Sequence, residues 1–215
     1  MFYDPRDPKG HGLPHDPFKS LIAPRPIGWI STLSDDGKVN LAPYSFFNAV
    51  CYPPYIVMFS SSELVDDPRK HSRRNAEDTG EFVCNLVSAE LTDAMHMTAA
   101  HVDRDVDELA MAGLTTEPSV TVKPPRVRES PAHLECRYMQ TVILESDTPG
   151  STHGVVFGEV TGIHISDSVM TDGLVDITKL RPVARLGYRD YTIVEDGFSK
   201  PSYDSMVPGL VKEST

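Results

Sequence analysis

The chain has 215 residues, 40% hydrophobic and 24% charged, with 31 acidic against 20 basic residues and a formal net charge of −11. That balance allows one sizeable core and excludes nucleic acid or an anionic membrane as the main partner, because phosphate recognition needs a basic face. No apolar run approaches the ~18 residues of a membrane span.

The first twenty residues are rich in Pro, Gly and His and read as an irregular lead-in. Asp4, Asp7 and prolines stand where a hydrophobic targeting segment would be, so a cytoplasmic location is expected. From Ile27 the pattern turns to β: "IGWISTLS", a "DDG" hairpin turn, then "KVNLAPYS". "YIVMFSS" follows as a short apolar strand. "PRKHSRRNAEDTG" (68–80) reads as a helix opened by Pro68 and stopped by Gly80, and "EFVCNLVS" as the next strand.

"AELTDAMHMTAAH" has helical spacing with Leu91, Met95 and Thr98 on one face, and "DVDELAMAG" is a shorter helix closed by Gly113. "LTTEPSVTV", "HLECRYMQTVILES" and "GVVFGEVTGIHIS" read as strands, the last two long enough for a curved hairpin. Short strands dominate and no β-α-β rhythm repeats, which predicts a mainly β protein: a barrel with a few peripheral helices. The expected division is a lead-in over 1–20, one domain over 21–196, and a C-terminal arm or tail over 197–215. Cys51, Cys84 and Cys136 are far apart and lie in apolar runs, predicting reduced, buried thiols.

Several chemistries are missing from the pattern. There is no phosphate-binding glycine loop, no dinucleotide fingerprint and no His/Cys ligand spacing, so no metal site is expected. "DRDVDELAMAGL" imitates a calcium loop but lacks Gly at its sixth position and Glu at its twelfth.

Two constellations carry chemistry. Arg69, Lys70, Arg73 and Arg74 crowd the start of the 68–80 helix, the positive end of its dipole, while Glu77 and Asp78 sit at the negative end. An anion bound at the helix start, helped by the Ser72 hydroxyl and the preceding "SSS" (60–62), accounts for the reversal. A basic helix face paired with neighbouring Asp and Glu is the other account. The second constellation runs from Arg25 to Val50 and gathers Trp29, Tyr44, Phe46 and Phe47 with Ser31, Thr32, Ser45 and Asn48. Such a wall suits an aromatic ring system with polar edges, or simply a packed hairpin core.

Six segments taken in order, "PRPIGWISTLSDDGKVNLAPYSFFNAV", "PPYIVMFSSS", "RKHSRRNAEDTGEFVCN", "ESPAHLEC", "GVVFGEV" and "RPVARLGYRDY", resemble the flavin reductase-like, FMN-binding split-barrel family that includes flavoredoxins. Relatives commonly carry Lys-Asp-Thr where this chain has Lys70, His71 and Ser72. The resemblance implies a split β-barrel of Greek-key type and FMN as cofactor. It places Lys70, Ser72, Arg74 and Asn75 at the phosphate, and Ser60 and Ser62 along the ribityl chain or phosphate. Ser45, Phe46, Phe47 and Asn48 would follow the ring edge, and Thr32 would contact the ring or ribityl. It implies hydride uptake from NADH or NADPH and delivery to free flavin, a ferric complex or a partner protein. An FMN-binding electron carrier without a nicotinamide site is the alternative. His153 is expected near flavin and nicotinamide, and Arg25 and Arg185 at the donor's phosphates or as structural arginines. A homodimer with flavin near the interface is implied as well.

Overall fold

The computed structural model describes residues 1–7, 9–62, 71–100, 102 and 106–201. Arg69 and Lys70, and the 202–215 part of the C-terminal segment, lie outside them. The elements in chain order begin with α1 (Phe18–Leu21), β1 (Arg25–Pro26), β2 (Gly28–Leu33), β3 (Val39–Tyr44), β4 (Phe47–Cys51) and β5 (Ile56–Ser62). Next come α2 (His71–Thr79), β6 (Glu81–Asn85), a 3-10 turn (Ala89–Leu91), α3 (Thr92–Met97) and α4 (Glu108–Met111). Then follow β7 (Thr116–Glu117), β8 (Arg126–Val127), β9 (Ala132–Glu145), β10 (Thr152–Ile165), a second 3-10 turn (Asp167–Val169), β11 (Met170–Thr171) and β12 (Leu174–Val175). The last are α5 (Ile177–Leu180), β13 (Val183–Arg185) and β14 (Tyr191–Ile193).

Seven antiparallel strands form the main sheet in the order β3-β2-β6-β9-β10-β5-β4. The β2–β3 hairpin turns where Gly37 takes a φ of +81° and its N–H donates to Ser34 O at 2.9 Å. The β9–β10 hairpin carries register shifts at Phe157/Gly158 and Val160/Gly162, which bend and twist long strands. The sheet curls enough for its edges to approach: the Tyr44 ring of β3 lies 4.9 Å from the Phe59 ring of β5. Ser60 N also donates to Phe46 O at 2.8 Å, tying the β3–β4 corner to β5.

β2 is buried on both faces because each packs on a separate core. Trp29 joins Leu41, Val87, Leu91, Met95 and Leu109 under the short helices. Ile30 joins Phe59, Phe82, Cys84, Cys136 and Val156 inside the barrel, with Ala76 of α2 as its lid. Each such fully buried side chain contributes about 1.5–3 kcal/mol. Leu91, Met95 and Thr98 are all buried, as their spacing predicts, and Trp29 Nε1 donates to Thr98 Oγ1 at 2.8 Å. The continuous helix expected over 89–101 is instead a 3-10 turn followed by six residues of α-helix. The strand expected over 114–122 shrinks to two residues, because the Glu135 carboxylate accepts from the Val120 and Thr121 N–H groups of this segment. Cys84 and Cys136 are buried, but Cys51 is exposed at the end of β4 and corrects the expectation for that thiol. No helix among the described residues is long and apolar enough to cross a membrane.

Candidate functional site

A cavity of about 340 Å³ lies at the seam between the sheet's edges, within the size range of small-ligand sites. β3 supplies Asn40, Ala42 and Tyr44 on alternate positions, so its period of two points one face into the cavity. The β3–β4 corner supplies Ser45 and Phe46, and β5 supplies Ser60 and Ser62. His71 and Ser72, the first residues of α2, close one end, with Glu108 of α4 beside them. Lys19, Arg25, Arg185 and Tyr188 line the other end.

The local sequence explains how α2 is held there. Asn75 Nδ2 donates to Thr32 Oγ1 at 3.1 Å, and both side chains are buried. Gly154 on β10 leaves room for Arg73, since a Cβ there would lie 2.6 Å from the guanidinium. Gly80 takes a φ of +78° and ends the helix, as its position in the sequence predicts. His71 and Ser72 of α2 bring the Ser72 hydroxyl to the cavity wall.

The reversed charges are partly resolved within the helix. Arg73 Nε donates to Glu77 Oε1 at 2.7 Å, and Arg74 Nε lies 3.6 Å from Asp78 Oδ2, each four residues on. The paired-face alternative therefore holds for these two arginines. Arg74, expected at the phosphate, pairs with Asp78 and is not among the residues lining the cavity. The role expected of Lys70 lies outside the described residues.

The remaining candidates divide clearly. Ser45, Phe46, Ser60, Ser62 and Ser72 come together in the cavity wall. Thr32 and Asn75 do not, because they spend their polar groups on each other beneath it. Phe47 turns away, its ring filling the space above Gly28 and lining a separate apolar groove. Asn48 is exposed, and its Oδ1 accepts from the Ala49 N–H at 2.9 Å. His153 stands opposite Ser62 across β10 and β5, with Nδ1 3.0 Å from Ser62 Oγ, so it touches the cavity through that hydroxyl. Arg25 lines the cavity, but its guanidinium donates to the carbonyls of Lys19, Ile22 and Leu186 at 2.5, 2.6 and 2.9 Å. Burial, together with nearby Arg185, lowers its pKa. Arg185 bonds the Tyr191 hydroxyl and the Tyr188 carbonyl.

Asn40, Lys19 and Glu108 escaped the sequence reading, whereas Tyr44 was part of the aromatic wall it singled out. The alternation of Asn40, Ala42 and Tyr44 was a usable signal for β3, whereas Glu108 and Lys19 reach the site through long-range packing that no local pattern encodes. Burial pushes the Tyr44 hydroxyl up to about 12, with the Ser72 and Ser61 hydroxyls pulling against it, so Tyr44 remains a neutral donor at ordinary pH. A polar chain runs from α2 to α4. With the Asn40 amide oriented to satisfy both ends, its oxygen accepts from Ser72 Oγ at 2.8 Å and its nitrogen donates to Glu108 Oε1 at 3.1 Å.

Residues 21–183 match the flavin reductase like domain, and the chain belongs to that family. An uncharacterized protein of Aquifex aeolicus is 41% identical over 172 residues, covering 80% of this chain and 85% of that protein. Among solved structures, nitrilotriacetate monooxygenase component B from Bacillus cereus superposes with a TM-score of 0.83 at 26% identity, covering 93% of this chain and 98% of that one. A Shewanella frigidimarina protein described as having a split barrel domain superposes with a TM-score of 0.74 at 25% identity, covering 86% and 89%. The fold is a split β-barrel.

The donor set fits a flavin mononucleotide. The hydroxyls of Ser60, Ser62 and Ser72 are donors suited to a phosphate and ribityl chain, and Phe46 and Tyr44 line the same cavity with aromatic rings.

Proposed function

We propose that this chain is an FMN-dependent oxidoreductase that draws electrons from NADH or NADPH and passes them to an acceptor: free flavin, a ferric complex or a partner protein. The observation that carries this reading is the single cavity in which the start of α2, Ser60, Ser62 and Ser72 meet the aromatic wall. Bound FMN would supply the redox chemistry, taking up two electrons and releasing them to the acceptor. Ser72, the α2 amides and Lys70, which adjoins His71 in sequence, would hold the phosphate. Ser60 and Ser62 would bind the ribityl hydroxyls, and Ser45 and Phe46 would border the ring. His153, 3.0 Å from the Ser62 hydroxyl, would orient it and could meet a donor or acceptor at the cavity's edge.

One observation favours a second reading, an electron carrier reduced by a protein partner. Arg25 is committed to three carbonyls and is not disposed to receive a dinucleotide's phosphates. An anaerobic spectrum of the FMN-loaded protein before and after each nicotinamide separates the two. Bleaching of the flavin band is expected. A protein that stays oxidised with both donors but bleaches with a reduced redox protein is the carrier, and a chain that takes up no FMN is neither.

We also propose a homodimer. Beyond Arg137 the outer edge of β9 has no strand beside it among the described residues, and Met139, Val142, Ile143 and Leu144 are 40–50% exposed there. A second copy would cover this apolar edge and bring its own surface near the cavity.

A further inference from the structure

Glu108 is a carboxyl group in a place where a dianion is proposed to bind. It is only 6% exposed and lines the same cavity as His71 and Ser72. The same three elements meet again in a smaller hollow of about 10 Å³, lined by Glu108, His71, Asn75 and Asn40. Asn40 links the carboxyl to Ser72 through contacts of 3.1 and 2.8 Å, so Glu108 lies one side chain away from the hydroxyl at the start of α2. An ionised carboxylate there would oppose a phosphate in a partly desolvated site, where charges interact more strongly than in water. A neutral carboxyl is instead a hydrogen-bond donor.

We propose that Glu108 makes phosphate binding proton-linked: its neutral carboxyl donates a hydrogen bond to the phosphate monoester at the start of α2, and its ionised form repels that group. This rests on the FMN reading above and names a determinant of it. The surroundings of Glu108 agree. Burial raises its pKa, opposed by the N–H groups of Glu108 and Leu41 and aided by Asp107 on the same helix. From β3 it faces Asn40 and Tyr44, from α2 His71, Ser72 and Asn75, and from the β2–β3 turn Ser34 and Lys38, the latter 3.7 Å from Asp36. With the pKa raised, the neutral form persists above the ordinary carboxylate range and is lost as pH climbs through the shifted value. Phosphate affinity should follow that loss.

The test is a titration of the full chain with FMN, and separately with riboflavin, from about pH 5 to about pH 8, reading flavin fluorescence for wild type and Glu108→Gln. Ionisation of FMN's own phosphate, near pH 6, is common to both proteins, so their difference isolates Glu108. Wild-type affinity for FMN should fall with rising pH relative to the variant. At the alkaline end Glu108→Gln should bind FMN about tenfold more tightly, the change that one pKa unit of interaction represents. Riboflavin, lacking the phosphate, should bind both proteins alike. A second measurement uses the unaltered Glu108: calorimetry in two buffers at about pH 8 should show proton uptake with FMN, in wild type and in His71→Gln alike. Matching FMN profiles in wild type and Glu108→Gln, weaker alkaline binding by the variant, or proton uptake that vanishes in His71→Gln would each overturn the proposal while FMN binding stands. Failure of every protein to bind FMN at any pH would overturn the cofactor reading with it.

Discussion

Ser72 is where an interior chain of polar contacts surfaces at the cavity, and Thr32 is where a similar contact stays inside. The two therefore predict opposite outcomes on substitution. Ser72→Ala should weaken FMN binding by about tenfold or more, the worth of a hydrogen bond to a charged group, while costing the apoprotein only about 1 kcal/mol. Thr32→Val leaves the buried Asn75 amide without its 3.1 Å partner, so it should cost about 1–3 kcal/mol of stability and affect FMN much less. Equilibrium dialysis with FMN beside thermal melting of the apoprotein reads both. Equal losses in the two assays for Ser72→Ala would make that serine structural. Arg74→Ala should change neither by much, since an exposed pair is worth at most about 1 kcal/mol.

At the scale of elements, the loop after β7 is fastened by one carboxylate. Glu135, fully buried on β9, accepts from Val120 N at 2.8 Å, Thr121 N at 2.5 Å, Thr121 Oγ1 at 2.6 Å and His164 Nε2 at 2.6 Å. Burial opposes its ionisation, but these donors prevail and hold its carboxyl down to about 2. A depressed carboxylate stabilises the fold above the ordinary carboxylate range, and that contribution is lost as pH falls toward about 2. Glu135→Gln should therefore remove about 3 kcal/mol near neutrality and show a flatter loss of stability on acidification than wild type, as measured by urea unfolding at stepped pH. The contact between α2 and β10 is as specific. Gly154→Ala would press a methyl into the Arg73 guanidinium that Glu77 anchors, and should destabilise the protein by about 1–3 kcal/mol in the same assay.

For the whole molecule, the proposed dimer rests on the outer half of β9, whose outer edge has no strand beside it among the described residues. Val142→Lys with Ile143→Lys places two charges in the apolar strip and should convert a dimer to a monomer by light scattering after size exclusion. A wild-type chain that is itself monomeric would remove the interface. Loss of FMN on conversion to the monomer would show that the partner copy completes the cavity.

Much of the barrel was readable because a strand's burial repeats along its own residues. The β2–β3 hairpin with its Asp-Asp-Gly turn, the β9–β10 hairpin and the buried face of Leu91, Met95 and Thr98 are all local patterns. The short β7 was not, because Glu135, distant in sequence, claims the N–H groups of Val120 and Thr121.

By itself the sequence determined the mainly β pattern, the helix stop at Gly80 and the serines and aromatics that could wall a flavin. Only the tertiary structure decided that Thr32 and Asn75 face each other, that Arg25 is tied to carbonyls, and that Glu108 reaches the start of α2. Periodicity fixes which way a side chain leaves its own strand or helix. What it meets there depends on how separate segments pack, and that is not written in neighbouring residues.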